Sequence, residues 1–204
     1  MRLPSLFGVK RLARNAALDL RYGAFLGGTV KSPYGVLGIH DTASTDYEAL
    51  PEIFENAVDS SDVLVDIGCG KGRVINWWLS RGYTNEMFGI EIDPNVARDA
   101  AHRLRKWPNV HIICGDAIDS LPEKGTVFYL FNPFNEKWVN SFKSRAGDLV
   151  TRNRKVRIFY YNCIHCHVFD DSQWIVQRIS LRSPFHSLAI IQPAVDADPQ
   201  GASQ

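Results

Sequence analysis

Residues 63–74, Val-Leu-Val-Asp-Ile-Gly-Cys-Gly-Lys-Gly-Arg-Val, constrain this chain more than any other stretch. Val63 to Ile67 is an apolar run broken only by Asp66. Gly68, Gly70 and Gly72 follow, and Val74, Ile75, Trp77, Trp78 and Leu79 then fall at helical spacing. The pattern predicts a buried strand, a tight glycine turn and a helix. Glycine admits positive φ and lets a ligand approach the backbone with no Cβ in the way. The following helix points free N–H groups and the positive end of its dipole at that ligand. Asp66 puts a carboxylate beside the turn, which suits a cationic or amine-bearing ligand and suits a pyrophosphate poorly.

The spacing narrows the choice further. In the dinucleotide fingerprint Gly-x-Gly-x-x-Gly the third glycine comes one residue later than Gly72 does here. No Gly-Lys-Ser/Thr follows, so this is not a phosphate-binding Walker loop.

The rest of the chain alternates around that unit. Strands are expected at Val63–Ile67, Met87–Ile92, Val110–Cys114, Thr126–Phe131 and Val156–Tyr161, with helices at Gly72–Arg81, Val96–Trp107 and Asn135–Leu149 between them. Ala117–Leu121 is at most a short helix. Ser172–Leu181 and Ser187–Gln192 read as a closing hairpin turned at Arg182–His186. Ahead of the first strand, Leu3–Tyr22 carries Leu12, Ala16 and Leu20 at amphipathic spacing, and Tyr22–Gly38 is irregular. Thr42–Val58 reads as a helix capped by Ser44 or Thr45, with Leu50, Ile53, Phe54 and Ala57 inward and Pro51 in its first turn or at a kink. The expected fold is therefore α/β: a Rossmann-like, mostly parallel seven-stranded sheet, helices on both faces, the last strand antiparallel. Residues 1–60 form an N-terminal helical arm or lid, 61–193 the core domain, and 194–204 a disordered tail. The ligand crevice lies beyond the carboxyl ends of the strands, where strand order reverses.

Composition sets limits on partners. The chain has 204 residues, 45% of them apolar, and a net charge of +1; no global positive field argues for nucleic acid. The local clusters Arg98–Lys106 and Arg152–Arg157 read as solvated faces. No apolar run reaches the roughly 18 residues of a membrane span, and the N-terminus lacks the apolar core of a secretory signal. A cytoplasmic location is the default, and the four cysteines then read as reduced thiols.

With these residues in view, Asp66-Ile67-Gly68-Cys69-Gly70-Lys71-Gly72 resembles the first motif of class I S-adenosylmethionine (SAM)-dependent methyltransferases. The resemblance extends from about Asp62 to Gln192 and implies a role for each motif. Asp66, Gly68, Gly70 and Gly72 would hold the methionine part of S-adenosyl-L-methionine. Glu91, ending the second strand, would accept the ribose hydroxyls, with Asp93 a rival. Asp116 would accept from the adenine amino group while the N–H of Ala117 serves an adenine ring nitrogen; Asp116 can also cap a short helix. Ile92 and Ile118 would flank the adenine. Asn132-Pro133-Phe134 resembles the Asn-Pro-Pro-Tyr/Phe motif of nitrogen methyltransferases without its second proline. There the Asn side chain and the Pro carbonyl align a substrate amine, and Phe134 could stabilise a cation by its ring face. Methyl transfer needs alignment more than acid–base machinery.

The implied activity is methyl transfer to nitrogen or oxygen of an acceptor that the sequence does not name, with a small molecule or protein amine ahead of RNA and no membrane partner. A non-catalytic SAM-binding module and an NAD-dependent oxidoreductase stay open. On the acceptor side the chain departs from the family: Tyr161-Asn162-Cys163 stands where Tyr-Asn-Pro is usual. Cys163-Ile164-His165-Cys166-His167 fits haem attachment in pattern only. It reads chiefly as a loop of small buried thiols, with no metal assigned, although His165 or His167 could act as a substrate-side base. His40 and Tyr47 are candidates for a lid, and His102 and His111 read as ordinary histidines.

Overall fold

The computed structural model describes residues 6–41, 43–152, 155–182 and 187–194. Seven strands form one sheet: β1 Val63–Ile67, β2 Glu86–Glu91, β3 Val110–Cys114, β4 Val127–Phe131, β5 Arg157–Tyr161, β6 Trp174–Ser180 and β7 Ser187–Pro193. Their order is β3-β2-β1-β4-β5-β7-β6. The first five run parallel. β7 runs antiparallel to both β5 and β6, so the closing hairpin inserts its second strand next to β5. β1 is flanked by β2 on one side and β4 on the other. Strand order reverses there, and the crevice opens beyond that point.

Alternation along the central strands builds two apolar layers. Val65, Ile67, Phe128, Leu130, Ile158 and Tyr160 pack with Val139, Phe142, Ala146 and Leu149 of helix α5, Glu136–Arg152. On the other face, Leu64, Val127, Tyr129, Phe159 and Tyr161 meet helices α2, Leu50–Phe54, and α3, Arg73–Ser80. Phe54 is a hub of that layer, with ring centroids of Trp77, Trp78, Tyr129 and Phe159 5.4–5.7 Å away. Such offset and edge contacts add to what area burial alone supplies. Helix α4, Pro94–Leu104, begins with Pro94 behind an Asp93 cap that accepts from the N–H groups of Asn95 and Val96; proline tolerates the first turn because its missing N–H would be unbonded there.

Four expectations are corrected. The helix foreseen over Thr42–Val58 shrinks to Leu50–Phe54. Thr42 lies outside the described residues. Ser44 and Thr45 cap nothing: Ser44 Oγ donates to the Leu26 carbonyl, and Thr45 Oγ1 is 2.9 Å from the Tyr129 hydroxyl. Both hydroxyls tie the loop down, and residues 43–46 form no helix. Ala117–Leu121, expected to be at most a short helix, holds a turn at 117–120, where the Asp116 side chain accepts the Ile118 N–H at 2.7 Å. The four cysteines are not all thiols: Cys163 and Cys166 form a disulfide, their Cα atoms brought to 5.3 Å by the turn after β5. Cys69 and Cys114 are free. The turn foreseen at Arg182–His186 and the tail at 194–204 fall largely outside the described residues. Among the described residues no helix is long and apolar enough to cross a membrane.

The fourth correction concerns the N-terminal helix, α1, Leu6–Arg21. Its expected apolar stripe faces outward, with Leu12 and Leu20 57% and 62% exposed, while Asn15 and Asp19 are buried. The buried face is polar because Asp19 meets a buried guanidinium. Arg73 Nη2 and Nε sit 2.6 and 3.1 Å from the two Asp19 oxygens. The same carboxylate accepts from the Tyr47 hydroxyl and the Leu26 N–H. Removing one member of such a pair strands the other charge in a dry site. Asp19→Asn should therefore lower stability by about 3–5 kcal/mol in urea unfolding; a loss below ~1 kcal/mol would mean that the pair does not hold the arm.

Candidate active site

The loops that follow β1 to β4 converge on one crevice. Gly68, Glu91, Asp116, Ala117, Pro133 and Phe134 all line it, as do Ile92, Ile118 and Asp93. A smaller hollow adjoins it and is lined by Asp66, Gly68 and Gly70. Gly72 and Asn132 line neither. Gly72 is the left-handed cap of α3, and Asn132 stands just behind the crevice wall at φ 39°.

The glycine turn is shaped by close approach. Gly68 has φ 69°, and a Cβ there would come within 3.0 Å of the Pro133 ring. Gly72 has φ 77°, and a Cβ would meet the Arg103 guanidinium at 3.1 Å. Any other residue at either position would bring backbone strain as well as a clash.

The carboxylates differ in how they are satisfied. Glu91 Oε2 accepts the Gly70 N–H and Oε1 the Asp93 N–H, each at 2.9 Å. Those bonds fix the head group at the mouth of β2, and each oxygen keeps a lone pair for a further donor. Burial raises the Glu91 pKa, against the pull of these N–H groups. Asp66 is buried, and among the described residues its Oδ2 has no hydrogen-bond partner. Burial, and next the Glu91 charge, push its pKa up to about 8. An orphaned carboxylate oxygen beside a hollow is a vacancy for a donor, best a cationic one.

Asn132 and Pro133 are already bonded within the chain. Tyr160 donates its hydroxyl to Asn132 Oδ1 at 2.9 Å. Burial keeps that phenol protonated by raising its pKa. The His40 N–H donates to the Pro133 carbonyl at 2.9 Å, and His40 Nδ1 lies 2.9 Å from the Asn132 carbonyl. Ile39 bridges antiparallel to Phe134, and the Asn135 N–H donates to the Gly38 carbonyl. Residues 38–40 are thus laid like a short strand against 132–135. His40, with Ile39, Asp41 and Lys31, forms the crevice wall opposite the strand ends.

Sequence reasoning missed the clamp that holds this arm. Arg103 donates to the Tyr22 carbonyl, to Asn76 Oδ1 and to the Lys71 carbonyl, and Lys71 Nζ reaches the Gly27 carbonyl. With Asp19–Arg73 these bonds join the arm to both ends of the glycine turn. The one available signal was Arg73 itself, an arginine directly after the third glycine at the start of an otherwise apolar helix. After β5, His165 and His167 lie 3.8 and 3.3 Å from Glu136. Among the described residues no group of three or more His, Cys, Asp or Glu side chains could hold a metal ion. His111 stacks on Phe88 at the sheet edge, and His102 is exposed on α4.

A sheet of this order, with an acidic residue at the ends of β1 and β2 and another just after β3 around a glycine turn, resembles the fold and cofactor crevice of class I SAM-dependent methyltransferases. Residues 64–142 match the family described as "Methyltransferase domain". The chain is 27% identical to "Putative methyltransferase Rv1506c" of Mycobacterium tuberculosis over 113 residues, 53% of this chain and 66% of that protein. Among solved structures, the mitomycin 7-O-methyltransferase MmcR superposes with a TM-score of 0.59 at 17% identity, over 73% of this chain and 55% of MmcR. An RNA methyltransferase from Salinibacter ruber, solved with S-adenosyl-L-homocysteine, superposes with a TM-score of 0.52 at 21% identity, over 79% of this chain and 100% of its own. The chain thus spans just under two thirds of the mycobacterial relative and about half of MmcR. It carries a class I methyltransferase domain, the kind that binds S-adenosylmethionine.

The orphaned Asp66 oxygen fits that ligand, whose methionine end carries an ammonium group. The sign of the linkage follows from the raised pKa. Between about pH 4 and about pH 8 the folded protein holds a proton on Asp66 that the unfolded chain has lost, so stability falls as pH rises through that window. Asp66→Asn should remove this slope and make the ligand-free protein more stable at pH 7.5, read by thermal unfolding. It should also weaken SAM at least about tenfold, the cost of a charged hydrogen bond. In the parent protein SAM affinity should rise as pH climbs from 6 toward 8. A variant with unchanged SAM affinity would remove Asp66 from the site.

Proposed function

We propose that this protein is a methyltransferase that moves a methyl group from S-adenosylmethionine to a nitrogen or oxygen of its acceptor. The buried, unpartnered Oδ2 of Asp66 beside the glycine turn carries this reading. S-adenosylmethionine supplies a methyl group already activated on a sulfonium, so the protein's contribution is to align and to exclude water.

Each residue then has a task. Asp66 receives the ammonium of the methionine end, and Gly68, Gly70 and Gly72 keep the turn open to it. Glu91, preset by the Gly70 and Asp93 N–H groups, takes the ribose hydroxyls. Asp116 keeps its carboxylate on the turn after β3 for the adenine amino group, with the Ala117 N–H for a ring nitrogen and Ile92 and Ile118 as apolar walls. Asn132, Pro133 and Phe134 face the acceptor. In this structure the Pro133 carbonyl is taken by His40 and the Asn132 side-chain oxygen by Tyr160. The arm, residues 1–60, therefore acts as a lid over domain 61–193: residues 38–40 must lift from 132–135 before an amine can bond to the Pro133 carbonyl.

Calorimetric titration of the purified protein with SAM and S-adenosylhomocysteine tests the reading. Micromolar binding that weakens by about 1–3 kcal/mol in Glu91→Ala, as loss of hydrogen bonds to a charged group should, is the expected result. No binding by a folded protein would overturn it.

A further inference from the structure

We propose that the groove between the arm and α4 binds single-stranded nucleic acid, which would make a nucleic acid the methyl acceptor; this rests on the function proposed above. The groove encloses about 910 Å³. Arg98, Arg103, Arg105 and Lys106 line its α4 wall, where Asp99 is the sole acid. The whole chain carries a net charge of only +1, so positive charge is concentrated here. Arg103 is committed to holding the arm. Arg98, Arg105 and Lys106 are exposed. Arg98 lies 3.4 Å from exposed Asp99, a pair that solvent screens and that holds the guanidinium weakly. Arg105 Nη1 lies against the His102 ring and carbonyl, and Lys106 Nζ sits 4.3 Å from the Trp107 ring centroid, so both are held by neutral or aromatic neighbours and keep their charge for a ligand. A row of exposed cations facing a concavity is the electrostatic footprint of a phosphate backbone.

The opposite wall supplies what a bare polyanion would not need. It is formed by residues 22–26, and Phe25 stands 59% exposed in it. An aromatic face beside a row of cations is a stacking platform for an unpaired base. A lipid surface would not enter a concavity of this shape, and an acidic peptide has no base to stack. The groove also leads to the chemistry. Val30 lines both the groove and the crevice, and Lys71 lines both the groove and the hollow beside Asp66. A strand lying along α4 would run toward the glycine turn, where one base can be turned into the site.

Fluorescence anisotropy with fluorescein-labelled single-stranded RNA and DNA oligonucleotides of mixed sequence tests this. Micromolar binding is expected at ~50 mM salt. Three phosphate contacts should make it about 15–20-fold weaker at ~200 mM. The triple variant R98E/R105E/K106E should lose at least about tenfold in affinity and flatten that salt dependence, while SAM titration shows its fold and cofactor site intact. Phe25→Ala should weaken binding about tenfold with the salt slope unchanged. The RNA and DNA arms show which backbone is preferred. Absence of binding at low salt, full binding by the triple variant, or equal affinity for a poly-glutamate peptide or phosphatidylglycerol vesicles would each overturn the proposal. If the protein binds SAM but no oligonucleotide, this inference alone fails; if it binds no SAM, the proposed function fails whatever the groove does.

Discussion

The buried pair between Asp19 and Arg73 is the interaction on which the rest of the site depends. Arg73 is the first residue of α3, directly after the last glycine of the turn. Asp19 is fully buried on α1. Removing two charges from water is costly, and their mutual attraction offsets the cost only when the remaining donors and acceptors are also satisfied. Here they are. Asp19 takes four donors, two from Arg73 and one each from Tyr47 and Leu26. Arg73 also lies over the Tyr47 ring at 5.3 Å. The pair thereby sets the position of the arm relative to the turn, and the arm in turn forms one wall of the crevice. An apolar contact of equal area would hold the helix without fixing its register, whereas this network satisfies its donors in one arrangement.

A second pair of charges works in the opposite direction. Asp66 and Glu91 are two buried carboxylates close enough that the charge of Glu91 raises the pKa of Asp66. Glu91 has two N–H groups to stabilise it; Asp66 Oδ2 has none. The ligand-free fold therefore carries an unfavourable buried group on β1, between β2 and β4. Such a defect persists where function requires it, and stability is given up for it. A cationic ligand would remove the repulsion and fill the vacant bond at once, so binding and stabilisation are the same event seen twice.

The core was legible in the sequence because its signals are local. Apolar runs such as Val127–Phe131 stand out against polar loops, and the glycine turn can be made by few other residues. The acids at 66, 91 and 116 could be placed because each directly ends or follows a strand, and strand ends are where loops gather. The arm was not legible, for a physical reason. Its folding is decided by partners 54 to 92 residues away: Asp19 with Arg73, Thr45 with Tyr129, His40 with Asn132. A helix that buries Asp19 and exposes Leu12 and Leu20 inverts the amphipathic pattern, so periodicity pointed to the wrong face. The hydroxyls of Ser44 and Thr45 looked like caps, yet each found a better partner across the fold. The disulfide of Cys163 and Cys166 is hidden in the sequence because it depends on the turn after β5 bringing their Cα atoms to 5.3 Å.

The arm also explains why residues 132–134 are the least readable part of the crevice. Asn132, Pro133 and Phe134 were found from a local motif, but their bonding is set from two remote directions. Tyr160 fixes the Asn132 side chain from beneath, through the neighbouring strand β5, and His40 occupies the Pro133 carbonyl from above. The first partner belongs to the rigid sheet and the second to a segment outside it. The lifting of residues 38–40 proposed above would free the Pro133 carbonyl and break the His40 contacts to Asn132, while Tyr160 would still hold the Asn132 side-chain oxygen. The same arm carries Val30, which lines both the groove and the crevice. The lifting proposed for residues 38–40 would therefore act on a wall that the two share. Its hinge would lie on the solvent-facing side of the clamp, because the Asp19–Arg73 pair and the Arg103 bonds hold the base of the arm to the glycine turn.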